Sequence, residues 1–259
     1  VDWFSDEVVP ELVDDLPNLR AIQFAGGEPT ISDPHVTMLK RLIDQGRSKN
    51  ITLGYVTNST SISDELLELW DNFSTKHITV SIDGVGKVNE YQRYPFSWEK
   101  VVSQLNQVKS IAKEKGNYCI NLSHTVTSLN ILNFAEMFKW WESQIEEGSG
   151  IITNLPHIQC VNNPAYLDPK FMPQNMKDDV KIMLDEYEAY LESNEELKNK
   201  KLTKEPLTER EQKIKDEATK HRENLKEKLR RFVARIPVFM YLTDDREKSV
   251  KEIILQSES

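Results

Sequence analysis

The segment IQFAGGEPTIS, residues 22–32, places two glycines, a carboxylate and a proline directly after a run of strand-forming residues. Adjacent Gly26 and Gly27 let the backbone take conformations closed to other residues and let a ligand approach the main chain. Pro29 fixes the turn and disfavours helical geometry at Glu28, which holds that carboxylate at the strand end. Main-chain acceptors beside one anion suit a ligand ammonium group and disfavour phosphate. A plain strand-to-helix turn remains an alternative interpretation of these residues.

Polar residues also follow the other predicted strands. They are Thr57 and Asn58, then Ser81, Asp83 and Gly84, then Ser123, His124 and Thr125, and finally Gln159 and Asn162. The carboxyl ends of parallel strands share one rim, so we expect these residues to line one cleft.

Each of these positions also has a structural interpretation. Thr57, Asn58, Asp83 and Gly84 fit ordinary turn or capping chemistry. A hydrogen-bonded structural role is favoured for His124 over that of a base. Arg93, which has aromatic neighbours in the sequence, is predicted to stack on them at the surface.

The elements that position these residues alternate between short apolar runs and amphipathic stretches, up to about residue 161. The predicted strands are 19–25, 51–57, 77–83, 118–126 and 151–161, and the predicted helices are 2–17, 33–47, 63–73, 97–116 and 130–146. Asp33 and Ser63 are predicted N-caps, and Gly46 and Gly116 are expected near helix ends. Successive strand–helix units imply parallel strands joined by right-handed crossovers, so the predicted fold class is α/β, either a partial barrel or a doubly wound sheet.

The remaining chain is rich in Lys, Glu, Asp and Leu. Helical apolar spacing over 178–193, and more weakly over 210–236, predicts two helices separated by an exposed loop at 194–209. A last packed helix or turn is predicted at 238–255. We therefore divide the chain into a barrel region, 1–165, and a charged, mainly helical region, 166–259.

The composition of the chain argues against nucleic-acid-binding, membrane-spanning and secreted proteins. The chain has 33 Lys and Arg against 42 Asp and Glu, and its net charge of −9 gives no general attraction to nucleic acid or anionic lipid. No apolar run is long enough to cross a bilayer and no secretion signal is evident, so a cytoplasmic protein is expected. Cys119 and Cys160 belong to no locally spaced metal motif and are predicted to be small buried residues.

Several motifs together resemble a known family. FAGGEPTI after a strand, VTNS at the end of the next strand and VSIDG at the end of the third are similar to the radical S-adenosylmethionine superfamily. LPNLRAIQFAGGEP, VSIDGVGKVNEYQRYPFSWEKV, TVTSLNILNF and YLTDDREKS further resemble the twitch domain-containing subgroup, which is common in phage and marine bacterial sequences.

The resemblance implies a partial (β/α)6 barrel in which a [4Fe-4S] cluster cleaves S-adenosylmethionine to a 5′-deoxyadenosyl radical that abstracts hydrogen from a substrate. It assigns Gly26, Gly27, Glu28 and Pro29 to the methionine amino group of the cofactor. Thr57, Ser81 and Asp83 would reach its carboxylate and ribose. The substrate, a peptide or a small molecule, stays open.

The family's CxxxCxxC cluster loop is missing from this sequence. A longer parent protein would explain this, with the loop and the first barrel strand upstream, so that the five strands here are the second to the sixth. The chain by itself is then expected to be catalytically silent. Two alternatives stay open: a cluster-less domain that binds S-adenosylmethionine or a partner, and a lyase or hydrolase that uses Glu28 or Asp83 with His124.

Overall fold

The computed structural model describes residues 8–147, 152 and 156–201. Five strands are present: β1 (Ala21–Phe24), β2 (Thr52–Thr57), β3 (Thr75–Ser81), β4 (Tyr118–Val126) and β5 (His157–Cys160). The helices are α1 (Val8–Asp14), α2 (Asp33–Asp44), α3 (Asp64–Trp70), α4 (Lys87–Gln92), α5 (Trp98–Lys115), α6 (Phe134–Glu147) and α7 (Gln174–Lys201). The predicted alternation of strands and helices is confirmed, and α4 is an additional short helix.

All five strands belong to one sheet and lie in the order β1-β2-β3-β4-β5. The register aligns Ala21 with Thr52, Thr52 with Thr75, and Lys76 with Tyr118, all in parallel pairs. Neighbours in sequence are therefore neighbours in the sheet, and parallel pairing requires a crossover connection rather than a hairpin. The fold class is α/β, a partial (β/α) barrel followed by a helical extension, as predicted.

The strands carry one buried and one more accessible set of side chains. In β4, Tyr118, Ile120, Leu122, His124 and Val126 are buried, and each residue between them is only half-buried. Successive side chains of a strand point to opposite faces, so the buried set shares a single face of the sheet. The other face is thereby left the more accessible of the two.

The buried side of β1 and β2 packs against α2 and α3 through aromatic rings. Phe24 and Tyr55 stack with ring centroids 5.2 Å apart, and Trp70 lies 4.8 Å from Tyr55. His35 of α2 meets Tyr55 through a 2.7 Å hydrogen bond between Nε2 and the hydroxyl. Burial lowers the pKa of His35 to about 4, so this histidine is neutral at physiological pH.

Helix boundaries follow local capping chemistry. Ser63 is the N-cap of α3 and accepts a hydrogen bond from Leu66 N, as predicted. Gly116 ends α5 in the left-handed conformation, which other residues adopt only with strain. The predicted cap at Asp33 is wrong: Ser32 is the N-cap, and Asp33 is the first helical residue, where its charge favours the helix N-terminus.

The fifth strand is described from His157 to Cys160, and residues 151 and 153–155 of the predicted strand 151–161 lie outside the described residues. It starts at His157, one residue after Pro156, which has no N–H to donate to a sheet. Ile152 forms a separate parallel bridge with Ile120.

The buried placement predicted for both cysteines is wrong. Cys119 is half-buried and Cys160 is exposed. Cys119 lies on the accessible face of β4, between Tyr118 and Ile120, whose side chains are buried on the opposite face. Strand alternation, rather than the hydrophobic character of the thiol, sets its exposure.

The chain divides into two compact units. The first comprises the described residues up to His124 and from Glu142 to His157, and the second comprises Thr125–Trp141 and the described residues from Ile158 onward. In the second unit, α6 and α7 meet through Phe134 and Tyr187, whose rings are 6.4 Å apart and nearly perpendicular.

Helix α7 runs to Lys201, so the loop predicted for 194–209 is wrong over its first eight residues. This stretch is Asn-Glu-Glu-Leu-Lys-Asn-Lys-Lys, in which strong helix formers dominate and no glycine or proline interrupts the helix. The helices predicted at 210–236 and 238–255 lie outside the described residues. Across the described part of the chain, none of the helices has the length and apolar character needed to span a membrane.

Candidate functional site

The turn after β1 has the backbone geometry expected from its glycines. Gly26 and Gly27 have φ values of +92° and +56°, a region that residues with a side chain rarely adopt. A Cβ added to either glycine would meet no atom within 4 Å. The glycines therefore serve the backbone path, and open space faces them.

Glu28 leaves this turn in an extended conformation, with φ −128° and ψ 103°, as predicted from the proline that follows it. Pro29 opens a 3-10 helix, Pro29–Ile31, and the Glu28 side chain caps it. Glu28 Oε1 accepts hydrogen bonds from Thr30 N at 3.3 Å and from Thr30 Oγ1 at 2.7 Å. The carboxylate is thus fixed first by its own turn.

The same carboxylate also binds the end of β2. Thr57 Oγ1 donates to Glu28 Oε1 at 2.6 Å, and Asn58 N donates to Oε2 at 2.7 Å. Thr57 Oγ1 in turn accepts a hydrogen bond from Ser59 N at 3.0 Å. Glu28 therefore joins the turns that follow two adjacent strands.

The turn after β2 is unusual at Ser59. Its φ is +57°, although it is not glycine, and its side chain is fully buried. Among the described residues, Ser59 Oγ has no hydrogen-bond partner. Asn58 Oδ1 accepts from Thr60 N at 3.0 Å and from Thr60 Oγ1 at 2.5 Å, which keeps the turn closed.

The charge of Glu28 is not neutralised by a neighbouring cation. All four hydrogen bonds that Glu28 accepts come from neutral donors, and it forms no ion pair within the described part of the chain. The side chain is half-buried, between two exposed glycines and the end of β2. A fixed anion without a counter-ion attracts a cationic ligand group.

Asp83, two residues beyond the end of β3, has a different environment. Arg93 Nη2 lies 2.7 Å from Asp83 Oδ2, and the two side chains are 29% and 12% exposed. Asp83 N donates to Asn89 Oδ1 at 3.1 Å, and Asn89 is buried. The surface stacking predicted for Arg93 is therefore wrong, since its guanidinium forms an ion pair with Asp83.

His124 lies on the buried face of β4. Its Nδ1 is 2.9 Å from Ile82 O, and the residue is fully buried. Burial lowers the pKa of His124; Asp83 raises it and Arg93 lowers it by smaller amounts. The favoured structural interpretation is confirmed, and His124 is not placed to act as a solvent-accessible base.

The other predicted strand-end residues fall into separate groups. Ser81 is half-buried at the end of β3, opposite Ser123 in the register. In the second unit, Gln159 Nε2 donates to Thr125 Oγ1 at 3.2 Å. The structure thus brings Glu28 and Thr57 into direct contact, whereas Asp83 belongs to the group around Arg93.

Two contributing residues were not predicted. Thr30 supplies two of the donors to Glu28, and Asn89 accepts from the backbone of Asp83. The sequence held a weak signal for Thr30, because a hydroxyl residue two positions after a carboxylate is a common capping arrangement. Asn89 lies in α4, six residues from its partner, where no sequence pattern marks it.

The residues present do not fit an iron–sulfur cluster. The sequence has two cysteines, fewer than the three of the CxxxCxxC loop that the family resemblance implies. Among the described residues, no group of three or more His, Cys, Asp and Glu side chains is arranged to hold a metal ion.

The fold and the site define a class of protein, a parallel α/β partial barrel with a glycine turn and a fixed anion at the carboxyl end of its first strand. Comparison with known families gives the match within that class: residues 1–140, more than half of the chain, match the Radical SAM superfamily. The chain belongs to this superfamily. None of the curated protein sequences matches it.

Solved structures similar to this chain include two of native anSMEcpe. The structure with bound AdoMet and a Cp18Cys peptide is 16% identical with a TM-score of 0.46, and the match covers 75% of this chain and 54% of that one. A structure with bound AdoMet is 15% identical with a TM-score of 0.48, and the match covers 75% of this chain and 53% of that one. The chain therefore spans about half the length of these proteins.

Proposed function

We propose that this chain binds S-adenosylmethionine, with the methionine amino group at the turn formed by Gly26, Gly27, Glu28 and Pro29. Its membership of the Radical SAM superfamily supports the choice of ligand. The observation that carries the proposal is the Glu28 carboxylate, which neutral donors fix beside two exposed glycines with open space in front of them. An ammonium group matches the charge and the acceptors of this turn.

The proposal also includes the three other predicted cofactor contacts, and the structure supports them to different degrees. They are Thr57, Ser81 and Asp83. Ser81 is half-buried at a strand end, where a ligand carboxylate or ribose hydroxyl would find a donor. Thr57 supports the site through Glu28, since its hydroxyl proton is donated to that carboxylate. The ion pair with Arg93 uses Asp83 Oδ2, which makes a direct ribose contact by Asp83 the least supported of the three.

The reaction belongs to a longer parent protein in this proposal. A [4Fe-4S] cluster of the parent protein would supply the electron for cleavage of S-adenosylmethionine, and its ligands would come from outside this chain, which has two cysteines. The twitch subgroup assignment is proposed on the motif resemblance alone. The role of this chain is accordingly to bind and orient the cofactor, and the parent protein would carry out hydrogen abstraction.

Isothermal titration calorimetry of the 259-residue chain with S-adenosylmethionine tests the binding proposal. We expect saturable micromolar binding by the wild type and its loss in Gly27→Val, because a branched side chain at φ +56° forces the turn to change. Gly46→Val, at a positive-φ glycine after α2, is the matched control and should retain binding. Absence of wild-type binding would contradict the proposal.

A second candidate is a domain that binds S-adenosylmethionine without radical chemistry, which the two-cysteine count favours. Product analysis of the chain after anaerobic iron and sulfide reconstitution and reduction tests the limit to binding that both candidates share. Binding without 5′-deoxyadenosine is expected for the isolated chain in either case. Formation of 5′-deoxyadenosine by this chain would show that it does more than bind the ligand, which would contradict both candidates.

A further inference from the structure

Buried aromatic side chains form a row through the layer where β2 and β4 pack against α2 and α3. Nε2 of His35 lies 2.7 Å from the Tyr55 hydroxyl. The ring centroids of Tyr55 and Trp70 are 4.8 Å apart, and those of Trp70 and Tyr118 are 6.4 Å apart. His35, Tyr55 and Trp70 are fully buried, and Tyr118 is 6% exposed. Tyrosine and tryptophan are the aromatic side chains that give up a single electron most readily, so this aromatic row is a path of short steps for electron transfer.

The hydrogen bond between Tyr55 and His35 has a preferred direction. If the Tyr55 hydroxyl donates to Nε2, one buried group of the pair, the protonated Nδ1 of His35, lacks a partner among the described residues. If Nε2 donates instead, the Tyr55 proton and the Nδ1 lone pair both lack one. Each unpaired buried polar group costs free energy, so the first arrangement is the more stable. The Tyr55 proton therefore points at a base.

We propose that Tyr55 is a redox-active residue, at which a one-electron oxidation of the protein ends as a neutral tyrosyl radical. The reagent is an outer-sphere one-electron oxidant in solvent that is stronger than a tyrosyl radical. The oxidant takes one electron from the aromatic row, and the phenolic proton of Tyr55 passes to His35 Nε2. The products are the tyrosyl radical, the imidazolium ion of His35 and the reduced oxidant. This inference does not depend on the proposed function.

Tyr118 belongs to the same row but lacks the features that stabilise a radical. In the part of the chain that the structure describes, its hydroxyl has no hydrogen-bond partner. Lys76 Nζ lies 4.4 Å from the centroid of its ring. Burial lowers the pKa of Lys76 to about 8, so the ammonium remains charged at neutral pH. A cation over the ring favours neutral tyrosine and repels the positive charge that oxidation without proton loss would place there.

The contrast between the two tyrosines gives the row a direction. Tyr118 is the more exposed end, where an oxidant in solvent comes nearest, but it has no base. Tyr55 is fully buried and has a base at 2.7 Å. An electron therefore moves from Tyr55 through Trp70 to Tyr118, and the radical is left at Tyr55.

His35 is suited to receive the proton. Burial lowers its pKa to about 4, so the imidazole is neutral and its Nε2 lone pair is available at neutral pH. An oxidised tyrosine that still carries its phenolic proton is a far stronger acid than an imidazolium ion, even one with this lowered pKa. The proton transfer is therefore favourable, and the same burial keeps water and reductants away from the radical.

Photochemical oxidation of the 259-residue chain tests the proposal. Ruthenium(III) tris(bipyridine), generated by a light flash in neutral buffer, is the oxidant, and frozen samples are examined by electron paramagnetic resonance. We expect a tyrosyl signal that persists after the radicals of exposed tyrosines have decayed. In protein prepared with isotopically labelled histidine, this signal should show hyperfine coupling to a histidine nitrogen.

Substitutions in the aromatic row assign the signal. Tyr55→Phe keeps the ring and removes the phenol, so the persistent signal should be lost. His35→Gln offers a hydrogen-bond acceptor that does not take up the proton, and should also abolish persistence. Tyr118→Phe should only delay the appearance of the signal. Tyr94→Phe is the matched control, because it removes the hydroxyl of a tyrosine that is 86% exposed and should leave the persistent signal unchanged.

The outcomes distinguish a redox role from simple packing. Circular dichroism shows whether each variant is folded. A persistent signal in folded Tyr55→Phe, or one that is lost in Tyr118→Phe instead, would overturn the assignment to Tyr55. Wild-type persistence in folded His35→Gln would overturn the proton transfer. Should either substitution prevent folding, the wild-type protein still decides, since a signal without histidine coupling, or no persistent signal, contradicts the proposal.

Discussion

Glu28 and Asp83 are carboxylates that follow strands of the same sheet, and the protein treats them differently. Glu28 is held by Thr30, Thr57 and Asn58, none of which is charged. Asp83 forms an ion pair with Arg93. Both carboxylates are held by partners, but only Asp83 has its charge balanced. Two carboxylates at strand ends therefore have different environments. Glu28 is an open anion, meaning a fixed carboxylate without a cationic partner, and Asp83 and Arg93 form a closed pair.

The difference shows that the partner of a strand-end carboxylate determines its role. Charge pairing makes the Asp83 group a structural element that ties α4 and the residue after it to the end of β3. Neutral hydrogen bonding leaves the Glu28 group fixed and still attractive to a cation. Substitutions at Glu28's supports and at the Asp83–Arg93 pair should therefore have different effects.

The largest effect is expected from breaking the closed pair. Arg93→Met removes the cation that is paired with Asp83, whose side chain is 12% exposed, and should lower the free energy of unfolding by about 2–3 kcal/mol. Urea denaturation followed by circular dichroism measures this. The control is Lys87→Met, which removes an exposed partner of Glu90 and should change stability little. Equal loss in both variants would contradict the structural role of the Arg93 pair.

A smaller effect on stability is expected from removing the Thr57 hydroxyl, which donates to the Glu28 carboxylate. Thr57→Val removes the donor to Glu28 and the acceptor for Ser59 N, and should lower the free energy of unfolding by about 1–2 kcal/mol. The same denaturation experiment applies. Thr75→Val, the same change at the start of β3, should cost less; an equal cost would mean that the network contributes nothing specific.

Relief of strain beside the open anion should produce a small gain. Ser59→Gly suits the φ of +57° and removes a buried hydroxyl that has no partner among the described residues. We expect an increase in stability of about 0.5–1 kcal/mol, seen as a higher melting temperature. Ser59→Ala keeps the strained backbone and should gain less than Ser59→Gly. A loss of stability in Ser59→Gly would show that the hydroxyl has a role.

The smallest effect concerns the histidine next to the closed pair. Arg93 contributes to the lowered pKa of His124, so Arg93→Met should raise that pKa toward its ordinary value. Because a depressed histidine pKa costs stability as the pH falls below about 6.5, the variant should lose less of its stability on acidification. NMR titration of the imidazole checks the direction. A further fall in the pKa would contradict the assigned contribution of Arg93.

Much of the fold was predictable because it depends on local patterns. The apolar runs at β2 and β4, the cap at Ser63 and the left-handed Gly116 are all decided by neighbouring residues. Errors occurred where a local rule was incomplete. β5 starts only after Pro156, and the helix formers after residue 193 extended α7 into a predicted loop.

The candidate site was predictable in part. Gly26, Gly27 and Pro29 required their backbone geometry, and the structure has it. The contact between Glu28 and Thr57 spans 29 residues of sequence, and the Asp83–Arg93 pair depends on the direction of a short helix. Residue types alone give no account of which carboxylate finds a cation.

The sequence by itself determined that the strands are parallel and which polar residues lie at their ends, because alternation, glycine and proline act within a few residues. The order of the strands in the sheet was decided by the tertiary structure. Tertiary structure decided which donors surround Glu28, that Arg93 neutralises Asp83, and that His124 faces the core. The physical reason is that hydrogen bonds and ion pairs depend on distances between strands and helices, which exist only once the sheet has formed.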